Sequence, residues 1–71
     1  MPTIRIDMFE GRTAEQKRAL AKALTEAFTS TCGGTVQSVH IVIEDVAKVN
    51  WAMGGSLCCD LYPDAVPAKD S

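Results

Sequence analysis

The chain has 71 residues, 46% of them apolar and 23% charged, and its seven basic and nine acidic side chains leave a formal net charge of −2. No apolar run approaches the roughly 20 residues of a membrane helix and the N-terminus lacks the pattern of a secretory signal, so the expectation is a cytoplasmic protein with no membrane partner. Mild acidity, with the cations scattered along the chain, argues against a nucleic-acid groove and leaves small molecules or other proteins as partners.

A chain of this length buries only roughly 60% of its unfolded surface and ordinarily needs disulfides, a metal or partner subunits. Cys32, Cys58 and Cys59 are odd in number and two of them are adjacent, so no intrachain disulfide framework follows. There is no Cys-x-x-Cys and His40 is the single histidine, so no metal site is expected. Oligomerisation is left as the staple.

Along the chain, Thr3 to Phe9 alternates, with Ile4, Ile6 and Met8 on one face and Thr3, Arg5 and Asp7 on the other, the period of a half-buried strand. Pro2 shares the apolar face. Glu10, Gly11 and Arg12 break the pattern, and Thr13 followed by Gln16 forms a capping box that opens a helix. Leu20, Ala23, Leu24, Ala27 and Phe28 make its apolar stripe, with Glu15, Arg18, Lys22 and Thr29 opposite, and Gly33 and Gly34 end it near Cys32. Val39 to Glu44 is a second strand, with Val39, Ile41 and Ile43 alternating against His40, Val42 and Glu44. Strand, helix and strand make a βαβ unit of the α/β (α+β) class, whose crossover makes the strands parallel. The stretch from Ala47 to Gly55 predicts a loop and a short hairpin, and the tail 61–71, with Pro63 and Pro67, an extended segment. The whole reads as one domain, 1–71, with its core in 2–57.

The common catalytic signatures are missing: there is no G-x-S-x-G, no Gly-rich phosphate loop and no H-E-x-x-H. What stands out is the N-terminus, because methionine before a small residue such as Pro2 is commonly removed, exposing a secondary amine. An α-amino group ordinarily titrates at about 7.7–8.0, and an apolar pocket or a neighbouring arginine lowers that value, making a general base for neutral pH. Many chains also begin Met-Pro for no catalytic reason.

The string Pro2-Thr3-Ile4-Arg5-Ile6, then Glu10-Gly11-Arg12-Thr13 and Glu15-Gln16-Lys17, then Val39 to Glu44, Ala47-Lys48 and Gly54-Gly55, resembles the 4-oxalocrotonate tautomerase family over residues 2 to 57. The resemblance implies a βαβ subunit that pairs into a four-stranded sheet and assembles, usually as a hexamer built as a trimer of dimers, with active sites shared between subunits. It also implies an enzyme of aromatic degradation that moves a proton between carbons of an unsaturated 2-oxo or 2-hydroxy acid, such as 2-hydroxymuconate, without a metal or organic cofactor. Carried over, Pro2 is the base and Arg12 the residue that grips a substrate carboxylate, a role suited to a planar guanidinium fork. The plainer reading of Arg12 is a surface residue beside the helix. Trp51 falls where the family has an aromatic, usually phenylalanine, walling the proline's pocket, and a lone tryptophan is equally a packing residue.

His40 departs from the family, which has a second arginine there to stabilise charge on the substrate oxygen. A single imidazole N–H supplies less of that stabilisation than a permanently charged guanidinium. It is a weaker electrophile, a mark of a different substrate, or a side chain on the strand's polar face. The helix segment from Gly11 to Leu20 also looks like a subunit of trans-3-chloroacrylic acid dehalogenase, which adds water to a 3-haloacrylate. Hydration needs a carboxylate to activate water, which in such enzymes lies two residues after the loop aromatic, where this chain has Met53; Glu44, Asp45 and Asp60 would have to reach in from elsewhere. A subunit of a hetero-oligomer, in which another chain supplies the missing charge, fits both His40 and Met53. The remaining alternatives are an interaction module with an incidental proline and a redox role for Cys58-Cys59. Adjacent cysteines make a strained bridge and their charged sequence neighbour is the acidic Asp60, so buried or idle thiols are expected.

Overall fold

Residues 1–63 are described by the structure, a computed structural model of the chain. Strand β1 runs over Thr3–Phe9 and alternates as its sequence requires: Ile4, Ile6 and Met8 are half-buried while Thr3, Arg5 and Asp7 are exposed. Gly11, at φ 126°, turns the chain in a backbone region that L side chains rarely adopt. Helix α1 then spans Ala14–Cys32. Its start is a complete capping box, in which the Gln16 N–H donates to the Thr13 hydroxyl at 3.1 Å and the Thr13 N–H donates to Gln16 Oε1 at 2.9 Å. At its end the Gly33 N–H donates to the Thr29 carbonyl at 2.9 Å.

The covered stripe of α1 differs from the expected one. Lys17, Leu20, Ala21, Leu24, Thr25 and Phe28 are half-buried, whereas Ala23 and Ala27 are exposed. Thr29, expected on the outer side, is half-buried, and its hydroxyl donates to the Thr25 carbonyl at 3.0 Å. Leu20, Leu24 and Phe28 set the stripe as one i, i+4, i+8 row, because the flanking alanines have too little apolar surface to rotate the helix toward themselves.

A short 3-10 turn, Val36–Ser38, leads to strand β2, His40–Val46. The strand begins after Val39, whose N–H closes the turn on the Val36 carbonyl at 3.3 Å, and continues past Glu44 because the Glu10 N–H caps the ladder on Val46 at 3.2 Å. β1 and β2 pair in parallel from Thr3 opposite His40 to Phe9 opposite Val46, the arrangement a βαβ crossover demands. On the outer face Arg5 pairs with Glu44 at 3.5 Å, and Lys17 ties α1 to Asp45 of β2.

A second 3-10 turn, Lys48–Asn50, precedes Trp51 and the expected hairpin, in which β3 (Ala52–Met53) runs antiparallel to β4 (Ser56–Leu57). Gly54 and Gly55 link them at φ 60° and 87°, the two left-handed positions of a type I′ turn. One helical turn, α2 (Cys58–Leu61), follows. This corrects the extended tail at its first residue: the Tyr62 N–H donates to the Cys58 carbonyl at 2.8 Å, so Leu61 is helical, and Pro63 then disfavours helical geometry at Tyr62. The expectation for 64–71 lies outside the described residues.

Among the described residues Cys58 alone is fully buried; Cys59 is half-buried and Cys32 exposed, and all three are free thiols. No helix among the described residues is long and apolar enough to cross a membrane.

Candidate active site

The four residues singled out from sequence fall into two groups at opposite ends of the parallel strand pair. Pro2 precedes β1, and because Thr3 pairs with His40, the His40 N–H donates to the Pro2 carbonyl at 2.9 Å. Pro2 is half-buried, His40 exposed, and Met1 ahead of them is 89% exposed. Arg12 and Trp51 belong to the other end, beyond Phe9 and Val46. Seven strand residues at roughly 3.3 Å each separate the two ends by about 20 Å. One chain therefore brings Pro2 to His40 but does not bring either of them to Arg12 or Trp51.

The far end is built from β1, the turn after β2 and α2. Phe9 lies on the same side of β1 as Thr3, Arg5 and Asp7, yet it is half-buried because Trp51 covers it edge-on, with ring centroids 4.7 Å apart and planes at 67°. Tyr62 adds a third ring 6.5 Å from Phe9, and Lys48 places its ammonium 5.6 Å from the centre of the Phe9 ring while donating to the Tyr62 carbonyl at 3.0 Å. Trp51 is fixed by its backbone: its N–H donates to the Lys48 carbonyl at 3.3 Å and its own carbonyl accepts the N–H of buried Cys58 at 2.7 Å. Between these groups is a cavity of about 450 Å³ lined by Met8, Phe9, Lys48, Trp51, Met53 and Tyr62.

Arg12 is half-buried in an adjoining groove of about 190 Å³, with Met8, Gln16, Lys17 and Leu20. Met8 lines both spaces, so the arginine groove and the aromatic cavity are neighbours. Met53 faces the cavity, where a thioether cannot take a proton from water. None of the acids named as possible replacements lines it: Glu44 is paired with Arg5, Asp45 with Lys17, and Asp60 accepts from the Cys59 thiol at 3.9 Å. Among the described residues no group of three His, Cys, Asp or Glu side chains is arranged to hold a metal ion.

Sequence reasoning missed Phe9, Lys48 and Tyr62 as lining residues. The signal for Phe9 was available, since an aromatic ends a face that otherwise reads Thr3, Arg5, Asp7. Tyr62 was hidden in a proline-bearing tail, and Lys48 enters only through contacts with residues distant in sequence.

The model of a family described as tautomerase enzymes matches residues 2–60. A probable tautomerase of Streptococcus pneumoniae is 46% identical over 57 residues, 80% of this chain and 95% of that protein. The 2-hydroxymuconate tautomerase of Bacillus subtilis is 38% identical over 61 residues, 86% of this chain and 98% of its own. Among solved structures, the heterohexameric 4-oxalocrotonate tautomerase of Chloroflexus aurantiacus superposes with a TM-score of 0.80 at 36% identity, covering 86% of this chain and 98% of that one. The chain belongs to the tautomerase family, and it is an isomerase related to the 4-oxalocrotonate tautomerases.

Proposed function

We propose that the chain is a cofactor-independent tautomerase of unsaturated 2-hydroxy and 2-oxo acids, in which the Pro2 amine, freed by removal of Met1, is the general base. The amine takes the proton of the enol hydroxyl; the oxygen's electrons form the carbonyl and the displaced carbon–carbon pair takes the proton back at carbon. Atoms and electrons balance without a second reactant. Arg12 holds the substrate carboxylate through a guanidinium fork, Trp51 walls the pocket, and His40 donates to the oxygen on which charge develops. An apolar wall and a nearby guanidinium both disfavour the protonated amine, which suits a base working at neutral pH.

The observation that carries this reading is the division of these residues between two ends of one strand pair, about 20 Å apart, within a family of tautomerases. A working site then takes Pro2 and His40 from one copy and Arg12 and Trp51 from another. Oligomerisation also suits a chain whose parallel strand pair is open at both edges and which has one fully buried side chain among the described residues. A cytoplasmic homo-oligomer, a hexamer as in the family, fits best. His40 in place of a second arginine favours one alternative, a mixed assembly like the heterohexamer of Chloroflexus aurantiacus; native mass spectrometry of the chain expressed alone separates the two, a uniform assembly favouring the homo-oligomer.

The test is intact mass of the purified protein followed, in the same sample, by conversion of 2-hydroxymuconate and phenylenolpyruvate to their keto forms. The proposal expects Met1 to be absent and Pro2→Ala to lower activity at least about tenfold, or about 1.4 kcal/mol of barrier. Full activity with Met1 retained, or with Pro2→Ala, contradicts it.

A further inference from the structure

The aromatic cavity beside Arg12 is chemically suited to one kind of substrate body. Its volume of about 450 Å³ lies in the range of small-molecule pockets. Its walls are three aromatic rings and two thioethers, and its charged lining residue, Lys48, is engaged by the Tyr62 carbonyl and the Phe9 ring face. Trp51 and Tyr62 are inclined to the Phe9 ring by 67° and 50°, so the lining offers both ring faces and ring edges, the two ways in which a further ring packs. A carboxylate put among these walls would exchange most of its hydration for rings and thioethers, with Lys48, already bound to the Tyr62 carbonyl, as the one cation among the described lining residues. A flat apolar group loses nothing comparable there and gains burial.

Met8 joins this cavity to the Arg12 groove, so a carboxylate gripped at Arg12 and an apolar body among the rings can belong to a single molecule. We infer that the cavity is a side-chain pocket selecting enolic 2-oxo acids with one carboxylate and an aryl substituent, with Tyr62 as the specificity-determining residue. This rests on the reading of Pro2 and Arg12 given above and adds to it which member of the substrate class is preferred. Tyr62 is the adjustable wall: it is 48% exposed and held by a single helical turn, whereas Phe9 is fixed in a strand and Trp51 by the hairpin.

The test compares kcat/KM on phenylenolpyruvate, an aryl monoacid, with that on 2-hydroxymuconate, a dicarboxylate, for the Met1-free protein and for Tyr62→Ala and Tyr62→Phe. The wild type should favour phenylenolpyruvate by about tenfold or more, and Tyr62→Ala should lower that activity by about tenfold, mainly through KM, as expected for loss of one aromatic contact. Its activity on 2-hydroxymuconate should fall by a smaller factor, so that the preference for the aryl acid narrows, and Tyr62→Phe should keep that preference. Equal losses on both substrates, or a preference for the dicarboxylate, overturn the inference and leave the role of Pro2 standing. No turnover of either substrate overturns the reading of Pro2 and the inference with it. A measurement without variants guards against misfolding: 3-phenylpropionate should inhibit the wild type more tightly than adipate, and the reverse order overturns the pocket assignment.

Discussion

In the proposed site Pro2 and Arg12 contribute opposite chemistry, a proton acceptor and a fixed positive charge, and on that proposal neither is replaceable by a residue that merely packs. Arg12→Ala should raise KM and lower kcat/KM by about 10- to 100-fold, with Arg12→Lys recovering part of the loss, because an ammonium keeps the charge but not the bidentate fork. Steady-state kinetics on either enol checks it, and an unchanged KM would reduce Arg12 to a helix-flanking surface residue. His40 tests the same logic in the other direction. It lies beside Pro2 through the backbone bond from its N–H to the Pro2 carbonyl, so His40→Arg should raise kcat by about tenfold if charge on the substrate oxygen is what limits the wild type. No change in kcat would leave His40 as a polar side chain on the exposed face of β2.

The elements were largely legible because each is specified locally. Alternation through Ile4, Ile6 and Met8 needs only a two-residue period, the capping box needs only Thr13 and Gln16, and the Gly54-Gly55 pair can take both left-handed positions of the hairpin turn. Thr13→Ala removes the hydroxyl that accepts the Gln16 N–H and should cost about 1 kcal/mol, read as a lower midpoint in thermal or urea unfolding with activity per folded molecule unchanged. What escaped the sequence is non-local. Nothing near Phe9 in the chain says that Trp51 will cover it, and the turn that brings Tyr62 back toward Phe9 depends on Cys58 being anchored to the Trp51 carbonyl. The outward-lying Ala23 and Ala27 show the same limit, since helical spacing identifies a stripe but side-chain volume decides where its centre lies. The candidate site residues were named through the family resemblance; their division between two ends of the strand pair required the register of β1 against β2.

At the scale of the molecule, one fully buried side chain among the described residues is too small a core for a free-standing domain, so stability should depend on assembly. The melting temperature should rise with protein concentration, and a concentration-independent midpoint would argue against an obligate oligomer. The central claim is that a working site joins Pro2 of one copy to Arg12 of another, and mixing two defective proteins tests it most directly. Pro2→Ala and Arg12→Ala, each assembled alone, should be nearly inactive. Unfolded together in equal amounts and reassembled, they should recover about one quarter of the native activity, because a site drawing its two halves independently is intact in one of four combinations. A mixture no more active than the separate variants would mean that both residues act within one chain, and would contradict the shared site.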